Sequence, residues 1–175
     1  MSGLVKNYWN GWVVKSCGIS REIDSESEHM AKEDIEKAVI VVGLDGSDSS
    51  TKALRWAVEE ARLRGGVVKA VRAWELPLQP YESYIPPEIY LDAAKDAEVN
   101  LEDQLAKVLG KNPPVEISRE IHEGDPAMVI MDQADGAKMI VVGSRGLGGF
   151  SGVLLGSVSS RLVHHASCPV LVIRS

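Results

Sequence analysis

Short apolar runs alternate with amphipathic segments along most of the chain. The runs are rich in Val and Ile, as is typical of strands buried on both faces of a parallel sheet. One of them alternates instead, with Val115, Ile117, Arg119 and Ile121 on one side. The five predicted strands are Ala38–Leu44, Val67–Trp74, Val115–His122, Met139–Gly143 and Pro169–Ile173.

Apolar positions between these strands recur at the period of helices packed on one side. The first predicted helix spans Ser47 to Arg64 and is ended by Gly65-Gly66, with Ser47 or Asp48 as its cap. The second is long and ends near Leu109. Its predicted inner stripe consists of Tyr90, Ala94, Ala97, Leu101, Leu105 and Val108.

Two further helices follow the third and fourth strands. Asp125-Pro126 begins one of them, because Asp caps a helix and proline is tolerated at the first helical position. That helix is short and ends near Gly136. The other begins at Gly156-Ser157, after a glycine-rich segment, and ends near Ala166.

Strands that alternate with helices predict an α/β fold. We expect an open, twisted, parallel five-stranded sheet with helices on both faces, in a Rossmann-like arrangement. Ligands bind such sheets beyond the carboxyl ends of the strands, where the strand order reverses. The predicted site is therefore formed by the loops after the first and fourth strands, which contain residues 43–47 and 143–146.

The glycine-rich segment lies at this predicted ligand edge, with six glycines between Gly143 and Gly156. Glycine permits positive φ and lets backbone N–H groups approach an anion without a Cβ in the way. A helix N-terminus follows, whose first N–H groups are unpaired. Ser157 and Ser159 add hydroxyl donors, and Arg145 can add a charge-assisted contact. The alternative, a tight turn without a ligand, fits six glycines poorly.

Two common phosphate-binding motifs are excluded by the same residues. A P-loop needs a lysine in the loop, and Lys138 is the last lysine of the chain. The dinucleotide motif GxGxxG fails because Gly146-x-Gly148-x-x ends on Ser151.

The spacing Gly143-x-x-Gly146, nine residues, then Gly156-Ser157 resembles the nucleotide-binding signature of the universal stress protein family. The resemblance covers Ala38 to Arg174. It also includes residues 41–47, Ala73-Trp74, residues 124–126 and residues 168–170.

The resemblance implies an adenine nucleotide alpha-hydrolase-like fold that binds ATP with Mg²⁺. Asp45, with the backbone of Gly43 and Leu44, is then expected at the ribose and at a phosphate-bound Mg²⁺, and Ala73 at the adenine. Val142 and Gly143 are expected beside the nucleoside. The residues expected around the phosphates are Arg145, Gly146, Gly156, Ser157, Val158 and Ser159. The resemblance also implies a homodimer paired through Pro169–Ile173, and an uncovered apolar edge strand is an independent reason to expect pairing.

Composition and charge reduce the range of functions and locations that the sequence allows. A formal charge of −6 disfavours nucleic-acid binding, and no apolar run approaches the roughly 20 residues of a membrane span. Two distant cysteines, Cys17 and Cys168, favour a reducing cytoplasm. Residues 1–36 differ in composition from the domain at 37–175, and we expect a leader or extension that packs poorly or derives from cloning.

No nucleophile–base arrangement is evident, so we assign no catalytic residue. The expectation is a regulatory ATP-binding protein with at most slow ATP hydrolysis, since phosphoryl transfer needs a base and several cations. Two alternatives stay open. One is an ATP pyrophosphatase or adenylyl transferase on the same scaffold, although Gly43–Ser49 (GLDGSDS) departs from the SGGxDS loop of those enzymes. The other is a dimerisation module without nucleotide.

Overall fold

The structure is a computed structural model and describes residues 37–76, 86–148 and 154–174. Several expectations fall outside these residues. They concern the N-terminal extension, Cys17, and two glycines of the glycine-rich segment, Gly149 and Gly152.

Five parallel strands form one sheet. They are β1 (Val39–Gly43), β2 (Val67–Trp74), β3 (Ile117–Glu123), β4 (Met139–Gly143) and β5 (Val170–Ile173). Their order is β3-β2-β1-β4-β5, so β1 is central and the direction of winding reverses between β1 and β4. The expected parallel α/β fold is confirmed, and the switch point lies where the β1 and β4 loops meet.

Four helices connect the strands. They are α1 (Asp48–Arg64), α2 (Pro87–Leu109), α3 (Pro126–Gln133) and α4 (Ser157–His165). Ser47 is the N-cap of α1, and its hydroxyl accepts a hydrogen bond from the Ser50 amide at 3.2 Å. Asp125 caps α3 by accepting from the Ala127 and Met128 amides at 3.1 and 3.0 Å. Both capping predictions are confirmed.

Two apolar layers fix these helices on opposite faces of the sheet, because successive strand residues point to opposite sides. Ile40 and Val42 join Leu54 of α1 and Leu101 of α2 in one layer. The other layer contains residues of β1, α3 and α4, among them Val41, Ile130 and Leu162. Each face of the sheet therefore has its own core.

Some boundaries differ from prediction for identifiable reasons. β5 begins at Val170 because Pro169 has no N–H to donate. β3 begins at Ile117, where its ladder with Val68 starts, rather than at Val115. α3 ends at Gln133, three residues before Gly136.

The predicted inner stripe of α2 is wrong at its first member. Tyr90 is 40% exposed, while Ala97, Leu101 and Leu105 are buried. The Tyr90 ring instead meets Trp74 edge to face, with ring centroids 5.0 Å apart. The first turns of α2 therefore lie at the sheet end rather than over the core.

Candidate nucleotide-binding site

A cavity of about 500 Å³ opens at the carboxyl ends of the central strands. This is the edge that a reversal of strand order predicts. All twelve residues expected at the nucleotide line it. They are Gly43, Leu44, Asp45, Ala73, Val142, Gly143, Arg145, Gly146, Gly156, Ser157, Val158 and Ser159.

One end of the cavity is apolar, and most of the residues that form this end were not predicted from the sequence. Val71 of β2 and Ile130 of α3 form walls beside Val142, and Pro126, the first residue of α3, lines the cavity as well. Val71 and Ile130 are also buried core residues, so the wall of the cavity is continuous with the second apolar layer. Such a surface suits a flat, weakly polar group such as a nucleobase.

The backbone of Ala73 adds hydrogen-bonding groups to this apolar end. β1 ends at Gly43, which lies opposite Val71 in the sheet register. The Val71 carbonyl accepts from the Leu44 amide at 2.9 Å, so the backbone groups of Val71 face β1. Backbone direction repeats every two residues along a strand, and Ala73 therefore directs its N–H and C=O past the end of β1. A donor and an acceptor thus stand side by side at the cavity.

The other end of the cavity is formed by the N-terminus of α4. Gly156 is its N-cap, and within the part of the chain that the structure describes no side chain caps this helix. Its first intrahelical bond runs from the Ser160 amide to the Gly156 carbonyl at 2.9 Å. The amides of Ser157, Val158 and Ser159 consequently have no partner in their own helix, which favours an anion at this end.

The hydroxyl of Ser159 is already engaged. It lies 3.1 Å from the carbonyl oxygens of both Ser144 and Gly156, and the residue is only 2% exposed. Its single hydrogen serves one of these acceptors. Ser159 therefore offers the cavity its amide, and the expectation of a hydroxyl donor there is corrected.

The first two signature glycines, Gly143 and Gly146, are required by close packing within the protein. Among described glycines, positive φ occurs at Gly46, Gly65, Gly110, Gly124 and Gly136 and at none of the signature positions. A Cβ on Gly143 would lie 2.8 Å from both the backbone carbon and the Cβ of Ser49. A Cβ on Gly146 would lie 2.6 Å from Oδ2 of Asp45. The first two signature glycines thus let α1 and the β1 loop approach the β4 loop.

Asp45 connects these two loops. Its Oδ1 accepts from the amide and hydroxyl of Ser47 at 3.0 and 2.7 Å. Its Oδ2 accepts from the Leu147 amide at 3.2 Å, across the cavity floor. The carboxylate thus bonds to both loops at the cavity.

Two residues behind the β1 loop were missed by sequence reasoning. Gln104 of α2 is 6% exposed, accepts from the Gly46 amide at 3.1 Å and donates to the Ser50 hydroxyl at 2.9 Å. Arg72 lies on the same side of the sheet, and burial lowers the pKa of its guanidinium while the charge of Asp45 opposes that shift. Gln104 was detectable as a polar residue three positions from Leu101 on the buried stripe of α2.

An ion pair joins the two helices that flank the cavity. Arg161 of α4 contacts Asp125, the cap of α3, at 2.5 Å. Hydrogen bonds from the Met128 amide and from Arg161 help to hold the pKa of Asp125 below its usual value. The pair thus links the helix that supplies the apolar wall to the helix that supplies the amides.

Few acidic groups near the cavity, in the part of the chain that the structure describes, could hold a divalent cation. Among residues 37–76, 86–148 and 154–174, no cluster of three or more His, Cys, Asp or Glu could hold a metal ion. Asp45 is the one carboxylate in the cavity lining of those residues. A single carboxylate suits Mg²⁺ that arrives on phosphates and keeps its waters, which is the usual mode of that ion.

The fold and cavity together define a parallel α/β domain with a cavity at the carboxyl ends of its central strands, beside a helix N-terminus of the kind that favours anions. The chain belongs to the universal stress protein family, whose family model matches residues 38–174. No helix within the described ranges is long and apolar enough to cross a membrane.

Individual relatives agree with this assignment. The universal stress protein Rv2005c of Mycobacterium tuberculosis is 37% identical over 141 residues, which are 81% of this chain and 47% of that protein. The chain thus spans about half the length of the curated relatives it matches.

Solved structures show the same fold. The universal stress protein UspA from Lactobacillus plantarum is 27% identical, with a TM-score of 0.64 and coverage of 78% of this chain and 97% of that one. A family member from Arabidopsis thaliana with AMP bound is 22% identical, has a TM-score of 0.50 and covers 78% and 91% of the two chains. At 22% identity the likeness concerns the fold alone.

Proposed function

We propose that this protein binds ATP, with adenine at the apolar end of the cavity and the phosphates at the N-terminus of α4. The observation that supports this most directly is the uncapped helix N-terminus at one end of a cavity whose other end is apolar. An adenine nucleotide has the same polarity, with a flat base at one end and a polyanion at the other. The cavity volume lies within the range of roughly 300–1,000 Å³ that is usual for small-molecule sites.

Each part of the nucleotide has a matching group. The paired N–H and C=O of Ala73 suit the donor and acceptor on the edge of adenine. Val142 and Gly143 lie beside the nucleoside, and Asp45 faces the ribose and Mg²⁺ carried on the phosphates. Arg145 and the amides of the β4 loop and α4 surround the phosphates, where a helix N-terminus favours negative charge.

Calorimetric titration with ATP, ADP, AMP and cyclic AMP, each with and without Mg²⁺, tests the central proposal. We expect saturable ATP binding at or below millimolar concentration and ATP among nucleotides released from the purified protein. Absence of ATP binding with Mg²⁺ at millimolar concentration would show that the proposal is wrong.

A substitution at the helix N-cap tests the placement of the phosphates. Gly156 has space for a side chain, since a Cβ there would meet its nearest neighbours at 3.5 Å, an ordinary contact. In Gly156→Asp the new carboxylate can cap α4 and repel a phosphate, so we expect ATP affinity to fall by about 100-fold or more. Gly156→Asn has the same shape without the charge and should lose about tenfold or less.

Both variants should unfold at the same or higher urea concentration than the wild type, because Asp and Asn are good caps. Equal ATP affinity in the wild type and Gly156→Asp would place the phosphates elsewhere.

We propose a regulatory role in stress response, in which occupancy by ATP rather than its turnover is the signal. Phosphoryl transfer requires a positioned base and clustered cations. Arg145 is the cation that lines the described cavity, and Arg161 is paired with Asp125. Phosphate release with excess ATP should therefore be slow or undetectable. Rapid release of phosphate or pyrophosphate would favour the alternative of an adenine-nucleotide-using enzyme.

We also propose a homodimer paired through β5. This strand lies at the end of the sheet and pairs only with β4 among the described strands. Its residues are half-buried and apolar, and Val163 of the adjacent helix is 50% exposed. An uncovered apolar edge favours pairing with another strand.

The hydrogen-bond register of β5 identifies a substitution that tests pairing through this strand. The Pro169 carbonyl accepts from Ile140 of β4 and the Ile173 carbonyl from Ser144, just after β4, so the two-residue repeat directs the N–H of Val172 outward. Val172→Pro removes an outward N–H without removing a bond to β4, which edge strands tolerate. We expect a monomer by sedimentation with unchanged far-UV circular dichroism. A dimer that survives this change would exclude pairing through β5.

A cytoplasmic location is the remaining proposal, and it is supported by two cysteines that lie far apart in sequence and do not suggest a disulfide framework. Cys168, in the described part of the chain, is a free, half-buried thiol. Fractionation of cells that produce the full chain tests this, and recovery with exported protein would contradict it.

A further inference from the structure

The hydroxyl of Ser49 occupies an unusual place between α1 and the β4 loop. Ser49 lies in the first turn of α1 and is 3% exposed. Its hydroxyl donates to the backbone carbonyl of Arg145, in the middle of the Gly143–Gly146 segment. The side chain that excludes a Cβ from Gly143 is thus also bonded to the loop that Gly143 begins.

Ser49, and not Ser47, donates the hydrogen bond to the Arg145 carbonyl. The Ser47 hydroxyl lies 3.4 Å from the same carbonyl but only 2.7 Å from Oδ1 of Asp45. A serine hydroxyl has one hydrogen, and the shorter contact, to a charged acceptor, uses it. Ser49 therefore holds the Arg145 carbonyl, while Ser47 serves Asp45.

The direction of this carbonyl determines the direction of the next amide. The peptide bonds of the described chain are not cis, and in a trans peptide the C=O and the following N–H point to opposite sides. When the Arg145 carbonyl faces α1, the Gly146 N–H faces away from α1. The Gly146 nitrogen lies 3.8 Å from the place of a Gly156 Cβ, and Gly146 and Gly156 both line the cavity. The Gly146 amide thus lies beside the α4 amides that have no partner in their own helix.

We propose that Ser49 is a positioning residue for phosphate binding, and the inference rests on the ATP-binding function proposed above. Its hydroxyl keeps the Arg145–Gly146 peptide oriented so that an N–H, and not a carbonyl oxygen, faces the phosphates. A flipped peptide would replace a donor with a partial negative charge at the anion site. Ser49 itself does not touch the nucleotide.

The test compares Ser49→Ala with Thr51→Ala, which removes a hydroxyl from the same helical turn. The Thr51 hydroxyl accepts from Gln104 at 3.1 Å, and no hydrogen bond joins it to the described residues of the β4 loop. Titrations use ATP, tripolyphosphate and adenosine. In Ser49→Ala we expect roughly tenfold weaker binding of ATP and tripolyphosphate, the loss of about one hydrogen bond to a charged group. Adenosine binding should be unchanged, and Thr51→Ala should bind all three like the wild type.

A second measurement needs no ligand. The Gly146 amide nitrogen resonance should shift in ligand-free Ser49→Ala, since the hydrogen bond to the preceding carbonyl is lost, and should not shift in Thr51→Ala. In the wild type, ATP should move the Gly146 amide proton downfield.

The outcomes separate the two claims. If the wild type binds ATP and Ser49→Ala binds it equally well, or loses ATP and adenosine to the same extent, the positioning role is refuted and ATP binding stands. If the wild type does not bind ATP, the proposed function fails. In that case the positioning role is judged without ATP. It is refuted if the Gly146 resonance does not shift in Ser49→Ala, and it is supported if the resonance shifts and tripolyphosphate binding weakens.

Discussion

Replacing the signature glycines one at a time by alanine should reveal how closely the β1 and β4 loops are packed. The new Cβ in Gly143→Ala would lie 2.8 Å from two carbon atoms of Ser49, one of them in the backbone of α1. Ordinary carbon–carbon contacts are about 3.5–4.0 Å, so helix or strand must shift by several tenths of an ångström or more. Overpacking of this kind costs roughly 1–3 kcal/mol, and a backbone neighbour places Gly143→Ala near 3 kcal/mol.

The same change at Gly146 should cost less, although its Cβ would be closer to a neighbour. That neighbour is Oδ2 of Asp45, at 2.6 Å, and a carboxylate can rotate away. The rotation breaks the 3.2 Å bond from the Leu147 amide, worth about 1 kcal/mol.

Gly156→Ala and Gly148→Ala complete the series. Alanine at the Gly156 N-cap makes ordinary contacts and should cost up to about 1 kcal/mol through poorer capping. Gly148 has no neighbour within 4 Å of a Cβ, so alanine there should be neutral or stabilise by up to about 1 kcal/mol through the unfolded state.

Urea unfolding of the four variants, followed by circular dichroism at equal protein concentration, measures this order. The expected free energies of unfolding fall from Gly148→Ala through Gly156→Ala and Gly146→Ala to Gly143→Ala. A Gly143→Ala protein as stable as the wild type would refute the packing argument. So would a larger loss at Gly156 than at Gly143.

Two further predictions concern charges outside the cavity. Lys69→Met should lower the free energy of unfolding by about 1 kcal/mol, because the Lys69 ammonium donates to the Gln133 carbonyl at the end of α3, at 3.0 Å. The same change at exposed Lys52 is the control, and an equal loss there would contradict the role of the contact. Asp125 has a lowered pKa in the folded protein, first through the Met128 amide and also through Arg161. Its stabilising contribution is therefore present above its unfolded pKa of about 3.9 and is lost as pH falls through the lower folded value. Between pH 6 and pH 2 the free energy of unfolding should fall less steeply with falling pH in Asp125→Asn than in the wild type. Parallel curves for the two proteins would contradict this.

Much of the fold could be predicted because it depends on side-chain periodicity. The bounds of Val67–Trp74 and Met139–Gly143 agree with the structure residue for residue. Met139–Gly143 is apolar throughout, and in Val67–Trp74 only Lys69 and Arg72 carry charge, so both strands stand out in the sequence as short apolar runs. Tyr90 was wrongly assigned to the core because its spacing fits the apolar stripe of α2. The helix extends past the core at this residue, and helical periodicity alone does not indicate where the core ends.

The position of the site could also be predicted, but its apolar wall could not. Strand order and glycine spacing both indicate the β1 and β4 loops. Val71 and Ile130 look like ordinary core residues in the sequence, and they are core residues. They line the cavity because of where β2 and α3 lie in the folded protein, which is a property of tertiary packing.

The signature glycines were explained in the sequence by the approach of an anion, and the structure shows a second constraint at the same positions. If only an anion required Gly143, its replacement would affect binding and leave stability unchanged. Since Ser49 fills the place of its Cβ, replacement must disturb α1 as well, and a Gly143/Gly146 double variant would confuse lost phosphate contacts with lost packing. Gly156 is free of that constraint because its neighbours stand at contact distance. Phosphate binding is therefore best tested at the third glycine of the signature, and the packing of the two loops at the first.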